Sequence, residues 1–315
     1  MTRAIAKPLS VPGVPKRSGA RGAHPQTAPE CIRAKSQKHP THAGVAARPV
    51  PRWGARARHA LYLVRPAEPD KANSLPSLVI LPSYNEAENV LPLSADILAR
   101  DASLEILVVD DNSPDGTADL VEGALANEPR LHLLKRPAKL GLGSAYLAGF
   151  AYGLARDYEL ILTMDCDYSH HPRYLPSMLE AMNECDMAVG SRYVEGGGVS
   201  NWPIHRILLS RFANAYARVL LRVPVRDCTA GFRCYKRAVL ESVEPEAVRS
   251  SGYSFLEEMI YRVHHAGFQI REVPIIFEDR AGGVSKISQW EIYRAALHVV
   301  ATAIRPPRIP PRRPR

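Results

Sequence analysis

The chain of 315 residues is predicted to fold as an α/β protein, with a mostly parallel sheet and helices on both of its faces. Short apolar runs alternate along the sequence with longer segments whose apolar residues recur at helical spacing. This alternation is typical of βαβ units and of a doubly wound sheet. Apolar residues make up 46% of the chain, which is ordinary for a globular protein.

The first predicted elements alternate strictly between strand and helix. Residues 78–81 are four apolar residues that predict a short buried strand, which Pro82 ends. Residues 86–100 carry apolar side chains at helical spacing and predict a helix. Residues 104–109 predict the second strand, which ends in a segment rich in turn residues, and residues 117–126 return to helical spacing.

The next four elements continue the alternation. Residues 131–134 predict a third strand, and a glycine-rich segment after it leads into a helix of small residues at 145–155. Residues 160–164 are an uninterrupted apolar run that predicts the fourth strand, and residues 187–190 predict a further strand.

The last third of the chain is less regular. Residues 204–221 predict an amphipathic helix. Residues 273–277 predict a strand in which Pro274 indicates an edge or a bulge, because proline donates no hydrogen bond to a neighbouring strand. A final helix is predicted at 287–304. It either packs on the domain, which is the more common arrangement, or lies at a membrane surface.

Charge is concentrated at the two ends of the chain. Residues 1–67 hold 13 lysines or arginines and one acid, and residues 305–315 hold five arginines, although the whole chain has a net charge of only +9. Both ends are rich in proline and lack apolar periodicity, so we predict disordered extensions at 1–72 and 305–315 around a folded domain at 73–304. The first extension also has the Arg and Ala bias of a transit peptide, and basic residues are attracted to anionic lipids.

Composition also bears on the cellular location of the protein. No window reaches the 18 apolar residues that a membrane-spanning helix needs, so we expect no membrane span. The five cysteines are odd in number and lack paired metal-binding spacings, which favours a reduced cytoplasmic protein over a disulfide framework.

Two carboxylates directly after the fourth predicted strand are the most informative feature of the sequence. Asp165 and Asp167 flank Cys166 at the point where a buried parallel strand reaches its carboxyl edge, where ligands bind in open α/β folds. Oxygen ligands of this kind suit Mg²⁺ or Mn²⁺, which usually retain waters and bind substrate phosphates. The pair therefore predicts a metal-dependent clamp for a diphosphate, although the same spacing also occurs in solvated turns.

Polar residues also follow two other predicted strands. Residues 82–86 follow the first strand, and Asp110 and Asp111 follow the second. Each set has an alternative interpretation as turn chemistry or as a helix N-cap. Their recurrence at three strand ends favours one shared site, in which Tyr84 offers a ring for a base to stack on and Asp111 accepts hydrogen bonds from base N–H groups.

Six motifs carry a resemblance to a known family: PSYNE (82–86), VVDDNSPDGT (108–117), KLGLGSAY (139–146), MDCDYSHHP (164–172), VGSRY (189–193) and DRAGGVSK (279–286). In this order they resemble the dolichol- or polyprenol-phosphate mannosyltransferases, which are glycosyltransferases of family 2 with a GT-A fold. The resemblance covers about residues 77–300. It implies a GT-A fold with a mostly parallel sheet.

The resemblance implies roles for individual residues. The nucleoside of GDP-mannose is expected to contact Pro82, Tyr84, Glu86, Val109 and Asp111. The diphosphate is expected along Asp165, Cys166 and Asp167, with Mg²⁺ or Mn²⁺ held by Asp165 and Asp167 and the phosphate charges met by Arg192, Arg280 and Lys286. Asp167 and Arg192 are the residues expected to act in catalysis. Cys166 stands where family members usually have alanine, and Ser169 stands where some have a glutamine metal ligand.

The implied reaction is a metal-dependent, inverting transfer of mannose from GDP-mannose to a polyprenyl phosphate. The lipid phosphate is already an anionic nucleophile, so the main requirement is to oppose its repulsion from the donor diphosphate. At about 4 Å two unit charges repel by roughly 4 kcal/mol at an effective dielectric constant of about 20. Because the acceptor is a lipid, we expect a protein that is peripheral on the cytosolic face of a membrane.

Several alternatives stay open on the sequence alone. Glucose or GlcNAc could be transferred from a UDP-sugar, since Asp111 does not separate guanine from uracil. The basic ends also suggest nucleic-acid binding, and a non-catalytic sugar-nucleotide-binding subunit is a third class, but we expect no nucleic-acid partner.

The sequence leaves three modes of membrane attachment open: the basic ends, the helices at 204–221 and 287–304, or a separate anchoring subunit. His170 and His171 either set the loop or bind metal, and residues 227–233 are either an acceptor-side or a structural loop.

Overall fold

The computed structural model describes residues 75–248, 250, 252–279 and 289–309. The strands are β1 (Ser77–Ser83), β2 (Leu104–Asp110), β3 (Leu131–Lys135), β4 (Leu160–Thr163), β5 (Met187–Ser191), β6 (Gly198–Ser200), β7 (Arg233–Lys236), β8 (Ile270–Pro274) and β9 (Ile276–Glu278). The α-helices are α1 (Val90–Leu98), α2 (Thr117–Ala124), α3 (Leu142–Leu154), α4 (Leu175–Ala181), α5 (Ile204–Leu221), α6 (Arg237–Val243), α7 (Tyr253–His265) and α8 (Gln289–Ile304). The predicted extension at 1–72 and the end of the chain from residue 310 lie outside the described residues.

Seven strands form the main sheet in the order β3-β2-β1-β4-β7-β5-β8. The pairs β1–β2, β1–β4, β2–β3 and β5–β8 are parallel, and β7 runs antiparallel to both of its neighbours. The mostly parallel sheet of the predicted α/β class is therefore confirmed. The smaller sheet pairs β6 with β9 in parallel.

Alternate residues of the central strands pack into two apolar layers, one on each face of the sheet. Leu78 and Ile80 of β1 join the layer that includes residues of α3, α7 and α8, whereas Val79 and Leu81 join the layer that includes residues of α1 and α4. All four side chains are fully buried. Burial on both faces explains why these strands read as continuous apolar runs rather than as alternating patterns.

Several parts of the structure differ from the sequence-based expectations. β6 and β7 were not predicted, and neither were α4, α6 and α7. The predicted helix 86–100 begins only at Val90, because the backbone carbonyl of Glu86 accepts from the N–H groups of Asn89 and Val90 and forms a turn there.

The predicted strand at 273–277 is in fact two strands. β8 ends at Pro274, and β9 begins two residues later and pairs with β6 in the second sheet. β8 is the last strand of the main sheet, which agrees with the edge position that Pro274 indicates. The helix predicted at 204–221 has the same bounds in the structure. Within the described residues, no helix is long and apolar enough to cross a membrane.

Close packing of α3 on β1 gives a test of the fold. A Cβ added at Gly149 would lie 2.6 Å from Cγ2 and 2.7 Å from Cδ1 of the fully buried Ile80. We expect Gly149→Ala to lower the free energy of unfolding by about 1–3 kcal/mol, because a well-packed core has no room for another methyl group. Urea denaturation measures the change.

Gly123 in α2 is the matched control, since nothing lies within 4 Å of a Cβ added there. Gly123→Ala is expected to raise the free energy of unfolding by up to about 1 kcal/mol through the higher helix propensity of alanine. Equal effects of the two substitutions would contradict the close approach of α3 to β1.

Candidate active site at the carboxyl edge of the sheet

The loops after β1 and β2 are joined by three hydrogen bonds. The backbone N–H of Asn85 donates to Oγ of Ser113 at 3.1 Å, and that of Glu86 donates to Oγ1 of Thr117 at 3.0 Å. The third bond runs from the N–H of Ala87 to Oδ2 of Asp115 at 3.0 Å. Two of the three predicted strand ends are therefore brought together, because parallel strands in register end at the same edge.

The Asp110 side chain holds these two loops together through hydrogen bonds. Its side chain is fully buried, and its Oδ1 accepts from Oγ of Ser83 at 3.0 Å and from Oγ of Ser113 at 2.5 Å. The N–H of Ser113 donates to Oδ2 at 2.9 Å. Of the two consecutive aspartates at the end of β2, Asp110 is thus the structural one.

Asp111 ties the loop after β3 to the same edge. Its Oδ2 accepts from the backbone N–H groups of Leu140 and Gly141 at 3.0 and 3.1 Å. Its Oδ1 lies 3.0 Å from Nη1 of Arg136, and both side chains are 7% exposed. The carboxylate is therefore held in place by the protein, and its predicted contact with a base stays a prediction.

The other residues predicted to contact the nucleoside lie around this edge. Pro82, Tyr84 and Glu86 are partly exposed, while Val109 lies within β2 with its side chain in the core. Nζ of Lys139 lies 4.0 Å from the ring centroid of Tyr84, which is a cation–π contact between the loops after β1 and β3. Lys139 was not singled out from the sequence, because no spacing links residues 55 positions apart.

The aspartates after β4 are fixed by neighbours on either side. Oδ1 of Asp165 accepts from the Tyr146 hydroxyl at 3.3 Å, and Oδ1 of Asp167 accepts from the N–H and Oγ of Ser169 at 3.0 and 2.5 Å. The Asp165 side chain is 28% exposed. Cys166 is buried, and burial raises the pKa of its thiol well above the usual value, so it is a neutral, apolar side chain here.

The two histidines after the aspartates hold the loop. Nδ1 of His170 accepts the backbone N–H of Asp165 at 3.1 Å, which places the ring proton on Nε2, and the ring stacks on Phe232 at 5.4 Å between centroids. His171 accepts from the N–H of Arg173 at 3.2 Å and begins a short 3₁₀ turn. These contacts favour the loop-setting role over metal binding.

The carboxylates of Asp165 and Asp167 fit a divalent metal that takes its other ligands from substrate and water. Among the residues that the structure describes, no group of three or more His, Cys, Asp or Glu side chains is arranged to hold a metal ion. The carboxylates of Asp165 and Asp167 supply hard oxygen ligands, and Mg²⁺ or Mn²⁺ commonly takes its remaining ligands from substrate phosphates and water. Two carboxylates at an open edge therefore match a metal that arrives with a diphosphate.

Arg192, the cation that follows β5, forms a buried ion pair. Its Nε donates to Oδ2 of Asp227 at 2.8 Å, and its Nη2 donates to Oδ1 of Asp227 at 2.6 Å and to Oγ1 of Thr229 at 2.8 Å. The Asp227 side chain has no exposure, and that of Arg192 is 9% exposed. Of the two interpretations of residues 227–233, the structure favours a structural loop that fixes Arg192.

Arg233 supports the structural interpretation of the same loop. It is the largest fully buried side chain of the described residues, and its guanidinium donates to the backbone carbonyls of Ala230, Leu256 and Cys228 at 2.7, 2.8 and 2.9 Å. All three acceptors are main-chain groups, so the charge serves to join β7 to α7 and not to meet a ligand.

An aromatic cluster links Arg192 to the aspartates after β4. The Arg192 guanidinium lies 5.5 Å from the Phe277 ring and 5.6 Å from the Trp202 ring. Phe277 in turn contacts the His170 ring at 5.4 Å, and His170 accepts from the backbone of Asp165. Arg192 and Asp165 are thus brought to one region of the protein. Arg280 and Lys286, the other two predicted phosphate-binding cations, lie outside the described residues.

Glu257 is a buried acid close to Cys228 and Arg233, in the loop and strand that follow Asp227. Burial raises its pKa from 4.5 to about 8, an increase that the charge of Arg233 partly opposes. Its Oε2 has no hydrogen-bond partner among the described residues. Glu257 was not predicted as a site residue, because its burial depends on the packing of α7, a helix that was not predicted.

Comparison with known proteins identifies a matching family. The family model described as glycosyl transferase family 2 matches residues 78–244. The polyprenol monophosphomannose synthase of Mycolicibacterium smegmatis is 47% identical over 231 residues, which are 73% of this chain and 87% of that protein. The undecaprenyl-phosphate mannosyltransferase of Micrococcus luteus is 44% identical over 224 residues, which are 70% of this chain and 91% of that protein.

Solved structures with low sequence identity share the fold. Glucosyl-3-phosphoglycerate synthase from Mycobacterium tuberculosis, in complex with Mn²⁺, UDP and glucosyl-3-phosphoglycerate, aligns with a TM-score of 0.53 and 18% identity over 73% of this chain and 79% of that chain. The mannosyltransferase PcManGT from Pyrobaculum calidifontis, in complex with GDP-Man and Mn²⁺, aligns with a TM-score of 0.53 and 18% identity over 76% of this chain and 67% of that chain. The predicted GT-A fold is confirmed.

The buried pair of Arg192 and Asp227 gives a stability prediction. We expect Asp227→Ala to lower the free energy of unfolding by about 3–5 kcal/mol, because the substitution leaves the buried guanidinium without its carboxylate. Urea denaturation measures the loss. The matched control is Glu184→Ala, which breaks an exposed pair with Arg271 and should cost less than about 1 kcal/mol. A loss in Asp227→Ala as small as in the control would show that the pair contributes little.

Glu257 gives a pH-dependent prediction. Its folded pKa of about 8 lies above the usual 4.5, so between these values the folded protein holds a proton that the unfolded chain has released. The free energy of unfolding should therefore fall as pH rises through this window, by about 2–5 kcal/mol from this group. We expect Glu257→Gln to remove that fall, which denaturation at pH values across the window would detect. Parallel pH profiles of the two proteins would contradict the raised pKa.

Proposed function

The chain belongs to glycosyltransferase family 2, and from this membership we propose that it transfers mannose from GDP-mannose to a polyprenyl phosphate by a metal-dependent, inverting displacement. The observation that carries the proposal is the pair Asp165 and Asp167, fixed at the carboxyl edge beside the loops after β1 and β2. Two curated relatives above 40% identity are named for mannosyl transfer to polyprenyl phosphates, and each is matched over most of its length.

The donor side of the site is formed by the joined loops after β1, β2 and β3. Tyr84 presents a partly exposed ring next to Lys139, which suits the stacking of a base and a nearby negative charge. Asp111 holds residues 140–141 against this surface by accepting from both of their backbone N–H groups, and Arg136 lies beside the same carboxylate. GDP-Man in the complex of PcManGT supports a guanine nucleotide as the donor of a protein with this fold.

Asp165 and Asp167 would hold Mg²⁺ or Mn²⁺ at the donor diphosphate. When bound, such an ion offsets the negative charge of the diphosphate and so makes GDP a better leaving group. Tyr146, which donates to Asp165, and Ser169, which donates to Asp167, orient the two carboxylates toward this task. The Mn²⁺ in the complexes of both structural relatives supports a divalent ion.

The chemistry requires one bond to form as another breaks. An oxygen of the lipid phosphate attacks C1 of mannose, while the bond from C1 to the GDP oxygen breaks and its electron pair leaves with GDP. No proton is transferred, because the acceptor is already an anion. Cys166 does not compete as a nucleophile, since burial keeps its thiol protonated. Direct attack from the side opposite GDP inverts the configuration at C1.

The cations of the site oppose the repulsion between the two phosphate groups. At about 4 Å this repulsion amounts to roughly 4 kcal/mol at an effective dielectric constant of about 20. Asp227 holds Arg192 rigidly before substrate binds, but it also offsets part of the Arg192 charge, so the metal ion is expected to oppose most of the repulsion. Arg280 and Lys286 complete the predicted set. A peripheral location on the cytosolic face of a membrane belongs to the same proposal, because the acceptor is a lipid.

Product formation from several labelled donors tests the proposal. With Mg²⁺ or Mn²⁺ and a polyprenyl phosphate, we expect label to enter lipid from GDP-mannose and not from GDP-glucose, UDP-glucose or UDP-GlcNAc. Asp167→Asn should lower the rate by at least about 100-fold, because it removes a charge that faces the diphosphate. The exposed Asp119→Asn is the matched control and should keep the parent rate.

Two results would contradict parts of the proposal. Transfer from a UDP-sugar would overturn the donor while leaving the fold and the displacement in place. Full activity of Asp167→Asn, or full activity in the presence of excess chelator, would overturn the metal-dependent role of the aspartates.

A further inference from the structure

The helix α5 turns an apolar stripe toward solvent. Its buried side consists of Asn214, Ala217 and Leu221. The opposite side carries Ile204, Leu208, Phe212 and Val219, all strongly exposed, with Ile204 at 75% and Phe212 at 69%. Their spacing of four, four and seven residues places them along one side of an α-helix. A stripe of this size facing water is uncommon in a soluble protein and marks an interaction surface.

The helix α8 repeats the same arrangement beside α5. Its buried side includes Val299 and Thr302, whereas Tyr293, Leu297 and Ile304 face solvent. The Tyr216 hydroxyl of α5 donates to the backbone carbonyl of Ala296 in α8 at 3.1 Å, so the two helices lie side by side. We call the two exposed stripes together the α5–α8 face; its residues are Ile204, Leu208, Phe212, Val219, Tyr293, Leu297 and Ile304.

The charged side chains of α5, and those of α8 after Glu291, are all positive. Arg211, Arg218 and Arg222 are exposed and lie along one flank of the stripe on α5. The sequence of α5 contains no aspartate or glutamate, and neither does the chain after Glu291. An apolar stripe flanked by arginines matches the boundary of an anionic bilayer, where acyl chains meet phosphate headgroups.

The α5–α8 face lies beside the candidate active site. At the start of α5, Nη1 of Arg206 donates to Oδ2 of Asp279 at 2.9 Å, and its guanidinium lies 3.9 Å from the Trp202 ring. Trp202 contacts Phe277 at 5.5 Å in the cluster that leads to Asp165. A surface bound to α5 would therefore be close to the edge where the sugar is transferred.

The buried side of α5 is tied to the same site. Oδ1 of Asn214 accepts from the backbone N–H of Cys228 at 2.7 Å and from that of Thr229 at 3.3 Å. These residues belong to the loop that holds Arg192 through Asp227. The helix is thus rigidly mounted on the site, and its outer stripe has a fixed orientation relative to it.

We propose that the α5–α8 face is the surface by which this protein docks on an anionic lipid bilayer. The apolar side chains enter the boundary between headgroups and acyl chains, and Arg211, Arg218 and Arg222 contact lipid phosphates. The inference rests on the proposed function, in which the acceptor is a lipid phosphate that has to reach the site from a membrane. Of the three attachment modes left open by the sequence, the folded helices are the one assigned here.

Vesicle binding by the full chain tests the docking face. The parent and Leu208→Gln/Phe212→Gln are sedimented with vesicles of phosphatidylcholine and phosphatidylglycerol. Both side chains face water, so the variant should keep the circular dichroism and unfolding temperature of the parent. We expect its affinity for vesicles to fall at least about tenfold, because two large apolar groups no longer leave water on binding.

Two further variants sharpen the test. Leu120→Gln removes an exposed apolar side chain from α2, distant in sequence from the proposed face, and should bind vesicles like the parent. Arg211→Gln/Arg218→Gln should weaken binding to the anionic vesicles while changing binding to pure phosphatidylcholine vesicles little.

Two outcomes would overturn the proposal. Equal binding of the parent and Leu208→Gln/Phe212→Gln would show that another part of the chain, such as a basic extension, carries the attachment. If the parent protein does not bind vesicles made of lipid alone, the face serves a protein partner instead of a bilayer.

A separate measurement distinguishes this failure from failure of the proposed function. Mannose transfer to polyprenyl phosphate dispersed in detergent needs no bilayer, and we expect Leu208→Gln/Phe212→Gln to retain the parent rate there. Transfer in detergent together with unchanged vesicle binding would overturn the docking face alone. Absence of transfer by the parent in detergent would overturn the proposed function.

Discussion

The parallel pairing of β1 with both β2 and β4 is the constraint on which the rest of the structure depends. It places the ends of three strands at one edge, so that loops from distant parts of the sequence meet there. Such pairing requires both faces of the sheet to be covered, and the close approach of α3 at Gly149 shows how tightly one face is covered. The positions of the loops in such a site are set by the strand pairing in the core.

Polar groups at this edge are held mainly by one another before any substrate arrives. Asp110 and Asp111 fasten the loops on the donor side, and Asp227 fixes Arg192 on the other side. Burying these charges costs solvation free energy, which good hydrogen-bond geometry offsets. In the proposed transfer, charges that the protein already holds in place would need little reorganisation during the reaction.

The sequence predicted the parts of the fold in which local pattern and burial agree. β1, β2 and β4 are apolar runs because both faces are buried. α5 was predicted from the periodicity of its apolar residues, although Ile204, Leu208 and Phe212 face solvent. β7 escaped prediction because Arg233, a charged residue, lies in the middle of the sheet, where backbone carbonyls satisfy it. The partners of the site residues escaped as well: Asp227 lies 35 positions from Arg192, and no periodicity connects them. The sequence predicted that α5 is amphipathic, but it did not predict that the apolar stripe faces solvent, because periodicity alone does not show which side of a helix packs on the domain.

The configuration and linkage of the purified lipid product test the central claim most directly. Nuclear magnetic resonance of the product made from GDP-mannose, in which mannose is α-linked, reports the sugar, the phosphate to which it is joined and the configuration at C1. A single product with mannose β-linked to the polyprenyl phosphate is the expected result, since direct attack by the lipid phosphate inverts C1. An α-linked product, or release of free mannose with no lipid-linked sugar, would contradict the account.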